Sequence, residues 1–146
     1  MAAHNQIGKI GEEIATKILL DKGYKIEQRN WRIGHLEVDI IASDKKTIAF
    51  VEVKTRTSMY GDKMPEESVD MVKRRRLIAA ANAYIKYNHI EKTPRFDIIG
   101  IILDKKTGEI VEKNHMEGAY TPGMRTINAG TFSGQWRWNH RRRVIK

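Results

Sequence analysis

Three charged side chains stand where the surrounding sequence reads as buried strand. Asp39 lies in Leu36-Glu37-Val38-Asp39-Ile40-Ile41-Ala42, and Glu52 and Lys54 lie in Ile48-Ala49-Phe50-Val51-Glu52-Val53-Lys54-Thr55. Side chains alternate along a strand, so Glu37 and Asp39 share one face of the first run, opposite Val38, Ile40 and Ala42. In the second run Phe50, Glu52 and Lys54 share a face, opposite Ala49, Val51 and Val53. Burying a charge is costly unless it is paired or neutralised, so these residues need a reason to be there. If the runs pair as a hairpin through residues 43–47, an odd-sum register such as Asp39 opposite Glu52 brings Asp39, Glu52 and Lys54 onto one surface. Two carboxylates about 4–5 Å apart repel unless a proton or a cation lies between them, and hard oxygen ligands favour magnesium or manganese. A lysine beside them can orient or deprotonate a water, or offset charge on a phosphate. The same spacing also fits a solvent-facing alternation, whose cross-strand salt bridges contribute less than about 1 kcal/mol. Spacing alone leaves both readings open.

The elements that must position these residues are legible in the periodicity. Ile7, Ile10, Ile14, Ile18 and Leu19 recur at steps of three and four, which predicts a helix over residues 7–20 ended by Gly23-Tyr24. Gly11 inside that helix forgoes up to about 1 kcal/mol relative to alanine and points to close packing or close approach by another backbone. After a strand-like stretch containing Tyr24-Lys25-Ile26 and Asn30-Trp31-Arg32, Gly34-His35 marks a break before the two charged runs. Residues 57–65 read as a polar loop and residues 66–87 as the longest helix, with Val69, Val72, Leu77, Ala80, Ala81, Tyr84 and Ile85 on its packed side. Residues 95–103, almost continuously apolar after Asp97, read as a central strand. The turn signal Asp104-Lys105-Lys106-Thr107-Gly108 then leads to a short edge strand at residues 109–113. Helix, two or three strands, helix and one or two strands give an α/β architecture, a mixed sheet flanked by helices.

With 146 residues the chain suits one compact domain, and 27 Lys plus Arg against 18 Asp plus Glu give a formal charge of +9. The excess is unevenly placed. From Gly118 to the last residue there is no acid, while Arg125, Arg137, Arg141, Arg142, Arg143 and Lys146 are interleaved with Phe132, Trp136 and Trp138. That composition suits phosphate contacts and stacking on unpaired bases, and it equally suits a solvated basic terminus. Lys73-Arg74-Arg75-Arg76 forms a second basic run within the long helix; four consecutive positions cannot share one helix face. No cysteine is present, so disulfides, thiolate zinc sites and cysteine nucleophiles are excluded. No apolar run approaches the roughly 18 residues that span a bilayer, and residues 1–9 lack a secretory pattern, so a cytoplasmic location is expected. The five histidines show no zinc-ligand spacing, Ser43, Ser58 and Ser68 lack a nucleophile elbow, and no phosphate-cradling glycine loop occurs.

Several segments, in order, carry a resemblance. They are Gly8-x-x-Gly11-Glu12-x-x-Ala15, Gly23-Tyr24, Arg29-Asn30-Trp31-Arg32, Glu37-Val38-Asp39-Ile40-Ile41-Ala42, Phe50-Val51-Glu52-Val53-Lys54-Thr55-Arg56 and Arg95-Phe96-Asp97-Ile98-Ile99. Together they closely resemble the uncharacterised YraN-like family, over about residues 5–120. That family is placed in the PD-(D/E)xK superfamily of restriction-endonuclease-like nucleases and is similar to Holliday-junction resolvases. The resemblance implies a restriction-endonuclease-like mixed sheet and a metal-dependent phosphodiester hydrolase. Asp39 and Glu52 would hold Mg2+ or Mn2+, with the Val53 carbonyl a candidate third ligand and Lys54 the catalytic lysine. Glu12 matches an extra acid that related nucleases use near the metal, and Glu37 is a candidate additional acid. Val38 stands where the superfamily has proline, and His35-Leu36 where many family members have a glycine before the acid. Residues 121–146 lie outside the shared pattern as a basic, aromatic-containing extension.

The expected partner is nucleic acid, DNA first and branched DNA among its forms, with Arg56, Lys73, Arg74, Arg141, Arg142 and Arg143 as candidate phosphate contacts. No membrane partner is expected. A homodimer is expected by analogy with resolvases. The alternative is a nucleic-acid-binding module that keeps the fold and serves recombination or repair without cutting.

Overall fold

A computed structural model describes residues 2–58 and 71–121. In chain order the elements are α1 (Ala2–Asp21), β1 (Lys25–Ile33), β2 (Leu36–Ser43), β3 (Thr47–Ser58), α2 (Met71–Asn88), β4 (Thr93–Asp104) and β5 (Ile110–Tyr120). The strands form one sheet in the order β1-β2-β3-β4-β5. All neighbours are antiparallel except β3 and β4, which run parallel because the segment carrying α2 returns the chain to the starting end of the sheet. The result is the mixed α/β sheet expected from the element order, consistent with a restriction-endonuclease-like fold. Among the described residues no helix is long and apolar enough to cross a membrane.

Local chemistry sets the boundaries. At the end of α1 the Tyr24 N–H donates to the Leu19 carbonyl (3.0 Å) and the Gly23 N–H to the Leu20 carbonyl (2.9 Å). Gly23 has φ +93°, the left-handed residue that this helix stop requires. Between β1 and β2, Ile33 pairs with Leu36 across Gly34-His35, and Gly34 at φ 59° supplies the positive dihedral of a two-residue hairpin. The β2–β3 turn is held by Asp44, whose Oδ1 accepts the N–H groups of Lys46 (2.9 Å) and Thr47 (2.8 Å).

The sheet is covered on both faces, which explains the nearly unbroken apolar runs of β3 and β4. On one face Ala15 and Leu19 of α1 pack with Ile40, Ala42, Ala49, Val51, Ile99 and Ile101. On the other, Leu77, Ala80, Ala81 and Tyr84 of α2 pack with Ile41, Phe50, Phe96, Ile98 and Tyr120.

Three elements exceed their expected extent. α1 begins before Ile7, β1 is one continuous strand, and β5 runs on to Tyr120, because pairing with β4 as far as Phe96 stabilises residues with little apolar pattern of their own. Residues 59–70, where the long helix was expected to begin, and residues 122–146 of the basic extension lie outside the described residues. One face assignment also differs. Val38 packs on the α2 side while Ile40 and Ala42 pack on the α1 side. The β2–β3 pairing runs from Ile40 to Ser43, so the start of β2 is held by β1 alone, and a two-stranded ribbon twists more strongly than an interior strand.

Candidate functional site

The register of the central hairpin pairs Ile40 with Val51, Ile41 with Phe50, Ala42 with Ala49 and Ser43 with Ile48. One step further along the same register sets Asp39 opposite Glu52, the odd-sum arrangement anticipated from the sequence. Here the strands part, and the Asp39 carboxylate fills the gap: its Oδ2 accepts the backbone N–H of Val53 at 2.8 Å. The side chain thus satisfies a main-chain donor on β3 that would otherwise seek a partner on β2.

Glu52 is only 7% exposed. Its Oε2 lies 2.8 Å from Lys73 Nζ, which reaches it from the first turns of α2. Asp39 feels the cost of this crowding. Burial, and then the Glu52 carboxylate, push its pKa up to about 7, with a further upward push from Glu12; the Val53 hydrogen bond and the Lys73 ammonium act in the opposite sense.

Glu12 arrives from the other layer, because α1 lies unusually close to β3. A Cβ built on Gly11 would collide with Thr55 Oγ1 and stand 2.9 Å from Thr55 Cβ. The glycine therefore lets the helix backbone settle onto the strand, as its position inside a helix suggested. The neighbouring Glu12 is held at Oε1 by Asn30 Nδ2 (3.2 Å). Asn30 has φ 52° and sits between the pairs Arg29–Ile40 and Trp31–Val38, across from Asp39 on the β1 side. Asparagine tolerates that left-handed backbone better than most residues. Sequence reasoning did not assign Asn30 a role; its place in the segment Arg29-Asn30-Trp31-Arg32 was the available signal.

Of the other expected site residues, Val53 and Lys54 adjoin Glu52 on β3, whereas Glu37, Arg56 and Arg74 lie elsewhere. Lys54 is half-buried two residues beyond Glu52, and Val53 packs partly against the α1-side core. Glu37 is engaged in an exposed cross-strand ion pair with Arg32 (3.6 Å). Arg56 is exposed near the end of β3. Arg74 lies over the Tyr120 ring, 5.1 Å from its centroid, on the α2 side of the sheet. Arg141, Arg142 and Arg143 lie outside the described residues.

A second polar cluster braces the β4–β5 edge. Asp97, fully buried, accepts two bonds from Arg95 (both 2.8 Å), one from His115 Nε2 (2.8 Å) and one from the Gly118 N–H (3.1 Å). Arg95 also donates to the Tyr24 hydroxyl (2.6 Å), and Lys22 Nζ donates to His115 Nδ1 (2.8 Å). Burial would raise the Asp97 pKa, but hydrogen bonds from Arg95 and His115 outweigh it and hold the pKa at about 2. The cluster sits at the pairing irregularity between Phe96 and Ile98, where it fixes the path of the chain into Tyr120.

As a cation site the first cluster offers the Asp39 and Glu52 carboxylates. Among the described residues no group of three or more His, Asp or Glu side chains stands ready to enclose a metal ion. Two carboxylates fit magnesium or manganese, which keep most of their waters and bind through one or two protein carboxylates. The Asp39 pKa is raised by burial first and by the neighbouring Glu52 carboxylate second.

Comparison with known proteins supplies the lineage. The uncharacterised protein family UPF0102 matches residues 11–101, and the chain belongs to that family. A UPF0102 protein of Bacteroides thetaiotaomicron is 43% identical over 124 residues, covering 85% of this chain and 99% of that protein. One from Phocaeicola vulgatus is 42% identical over 123 residues, covering 84% of this chain and 98% of its own. A third, from Oleidesulfovibrio alaskensis, is 38% identical over 133 residues, covering 90% of this chain and 65% of that protein. These findings agree with the YraN-like resemblance drawn from the motifs.

Proposed function

We propose that the chain is a divalent-metal-dependent nuclease that hydrolyses phosphodiester bonds in DNA, branched DNA included, in the cytoplasm. The observation that carries this reading is the Asp39–Glu52 pair, two largely buried carboxylates set across a parting strand pair, with Asp39 pushed up to about 7 by burial and by Glu52. Carboxylate repulsion that a single lysine offsets only in part is destabilising inside a fold, and sites that retain it are commonly functional.

Asp39 and Glu52 would hold Mg2+ or Mn2+, which when bound acidifies water and offsets charge on a phosphate oxygen. Asp39 is oriented by the Val53 N–H, which engages one carboxylate oxygen; the other would be available to a bound ion. Lys54 is assigned the proton and phosphate chemistry on the flank of Glu52, and Glu12, oriented by Asn30, adds negative charge from the α1 side. Arg56 and the basic turn Lys73-Arg74-Arg75-Arg76 supply positive charge for the nucleic-acid backbone, in keeping with the net charge of +9.

A second reading, a non-cleaving nucleic-acid-binding module, draws support from the Lys73–Glu52 ion pair, which supplies one positive charge without any divalent ion. The decisive experiment is a cleavage screen of wild type and Glu52→Ala on linear, flapped and four-way DNA and on single-stranded RNA, with Mg2+ or Mn2+. Cutting by wild type alone is the expected result. Cutting by Glu52→Ala would refute the assignment. Salt-sensitive binding by both proteins without cutting, unchanged by Asp39→Asn, would favour the binding module.

A further inference from the structure

Lys73 differs from the other candidate phosphate-binding cations in what it touches. Its Nζ is 2.8 Å from Glu52 Oε2, and its side chain is 50% exposed while that of Glu52 is 9% exposed. The carboxylate is therefore fixed in the protein, and the ammonium approaches it from the solvent side on a flexible stem. A cation that neutralises Glu52 at this distance competes with any divalent ion that the same carboxylate would hold.

We propose that Lys73 is an exchangeable counter-ion: it occupies the cation position at Glu52 until a divalent ion takes that position, and it then turns outward to a backbone phosphate of the nucleic acid. This rests on the reading of Asp39 and Glu52 as an ion site. Two cations cannot crowd one carboxylate pair without strong repulsion, and of the two partners it is the half-exposed lysine, not the buried carboxylate, that solvent can reach. Its neighbours define where it goes. Arg75 and Arg76 are exposed on the same turns of α2, while Arg74 is committed to the Tyr120 ring. An outward Lys73 would extend the surface of Arg76, three residues on along the same side of α2, which suits a polyanion. Ion binding and nucleic-acid binding are then coupled, and the coupling must be reciprocal.

The test uses the full chain as wild type, Lys73→Met, Lys73→Arg and Glu52→Gln, with circular dichroism confirming the fold of each. Mn2+ affinity is measured by calorimetry at pH 8. Removing the competitor should tighten Mn2+ binding of Lys73→Met by about tenfold or more, whereas Lys73→Arg, which retains a cation, should stay near wild type. A second readout is the affinity for a short fluorescein-labelled DNA duplex with and without Ca2+ at fixed ionic strength. Ca2+ should tighten binding by wild type, and the enhancement should be lost in Lys73→Met. Equal Mn2+ affinity in wild type and Lys73→Met would overturn the exchange while leaving the ion site standing. If neither protein bound Mn2+ better than Glu52→Gln, the ion site and the exchange would both fall.

Discussion

Asp39→Asn should make the protein more stable at pH 8 while removing ion binding. The folded pKa of about 7 stands roughly three units above the ordinary 3.8, and at about 1.4 kcal/mol per unit this sets a ceiling of about 4 kcal/mol. The direction follows from proton uptake. Between pH 4 and 7 the folded chain holds the Asp39 proton and the unfolded chain does not, so this group's contribution to stability falls as pH rises through that window. Above about pH 7 the folded state carries the full cost of the ionised carboxylate beside Glu52. Asparagine keeps an oxygen to accept the Val53 N–H and has no charge to bury, so most of the local geometry survives. Relaxation of Lys73 toward the ionised pair lowers the attainable gain to about 1–3 kcal/mol, still a large share of a domain's stability. Urea unfolding of wild type and Asp39→Asn in chelator, from pH 4 to pH 8, measures it. The difference between the two should be small at pH 4, grow to pH 7 and level off. A constant offset, or a variant less stable at pH 8, would show that Asp39 is not held in electrostatic conflict. Mn2+ should then stabilise wild type and leave the variant unchanged.

Two further substitutions test the framework that positions the site. Gly11→Ala should destabilise by about 1–3 kcal/mol through the forced separation of α1 from Thr55, offset by up to about 1 kcal/mol of helix propensity. Thr55→Gly removes the three obstructing atoms, so the loss should be smaller in that background; strict additivity in a double-mutant cycle would contradict the close approach. Asp97→Asn should cost about 3–5 kcal/mol, because Arg95 would remain buried without its counter-charge. With its pKa lowered to about 2, Asp97 contributes stability above about pH 4 that is lost as pH falls toward 2. Urea unfolding at pH 7 and pH 3 should show a smaller difference between wild type and Asp97→Asn at the lower pH.

The sequence by itself determined the alternation that makes the central hairpin, the glycine that brings α1 onto β3, and the presence of two acids and a lysine in apolar strands. Local steric rules and strand periodicity act over a few residues, so they are legible without a fold. The odd-sum register of the β2–β3 hairpin was likewise a short-range inference, since only a tight turn separates the two strands. Tertiary structure decided which charges meet. Lys73 is distant in sequence from Glu52, and only the return of α2 across the sheet lays it on that carboxylate. Asn30, at positive φ in β1, reaches Glu12 on α1, and Glu37, near Asp39 in sequence, is drawn instead to Arg32. The extent of β5 and the burial of Asp97 with Arg95 and His115 also depend on contacts between strands. Electrostatic partners and edge-strand length are set by what a segment packs against, and that information is carried by the whole chain rather than by any stretch of it.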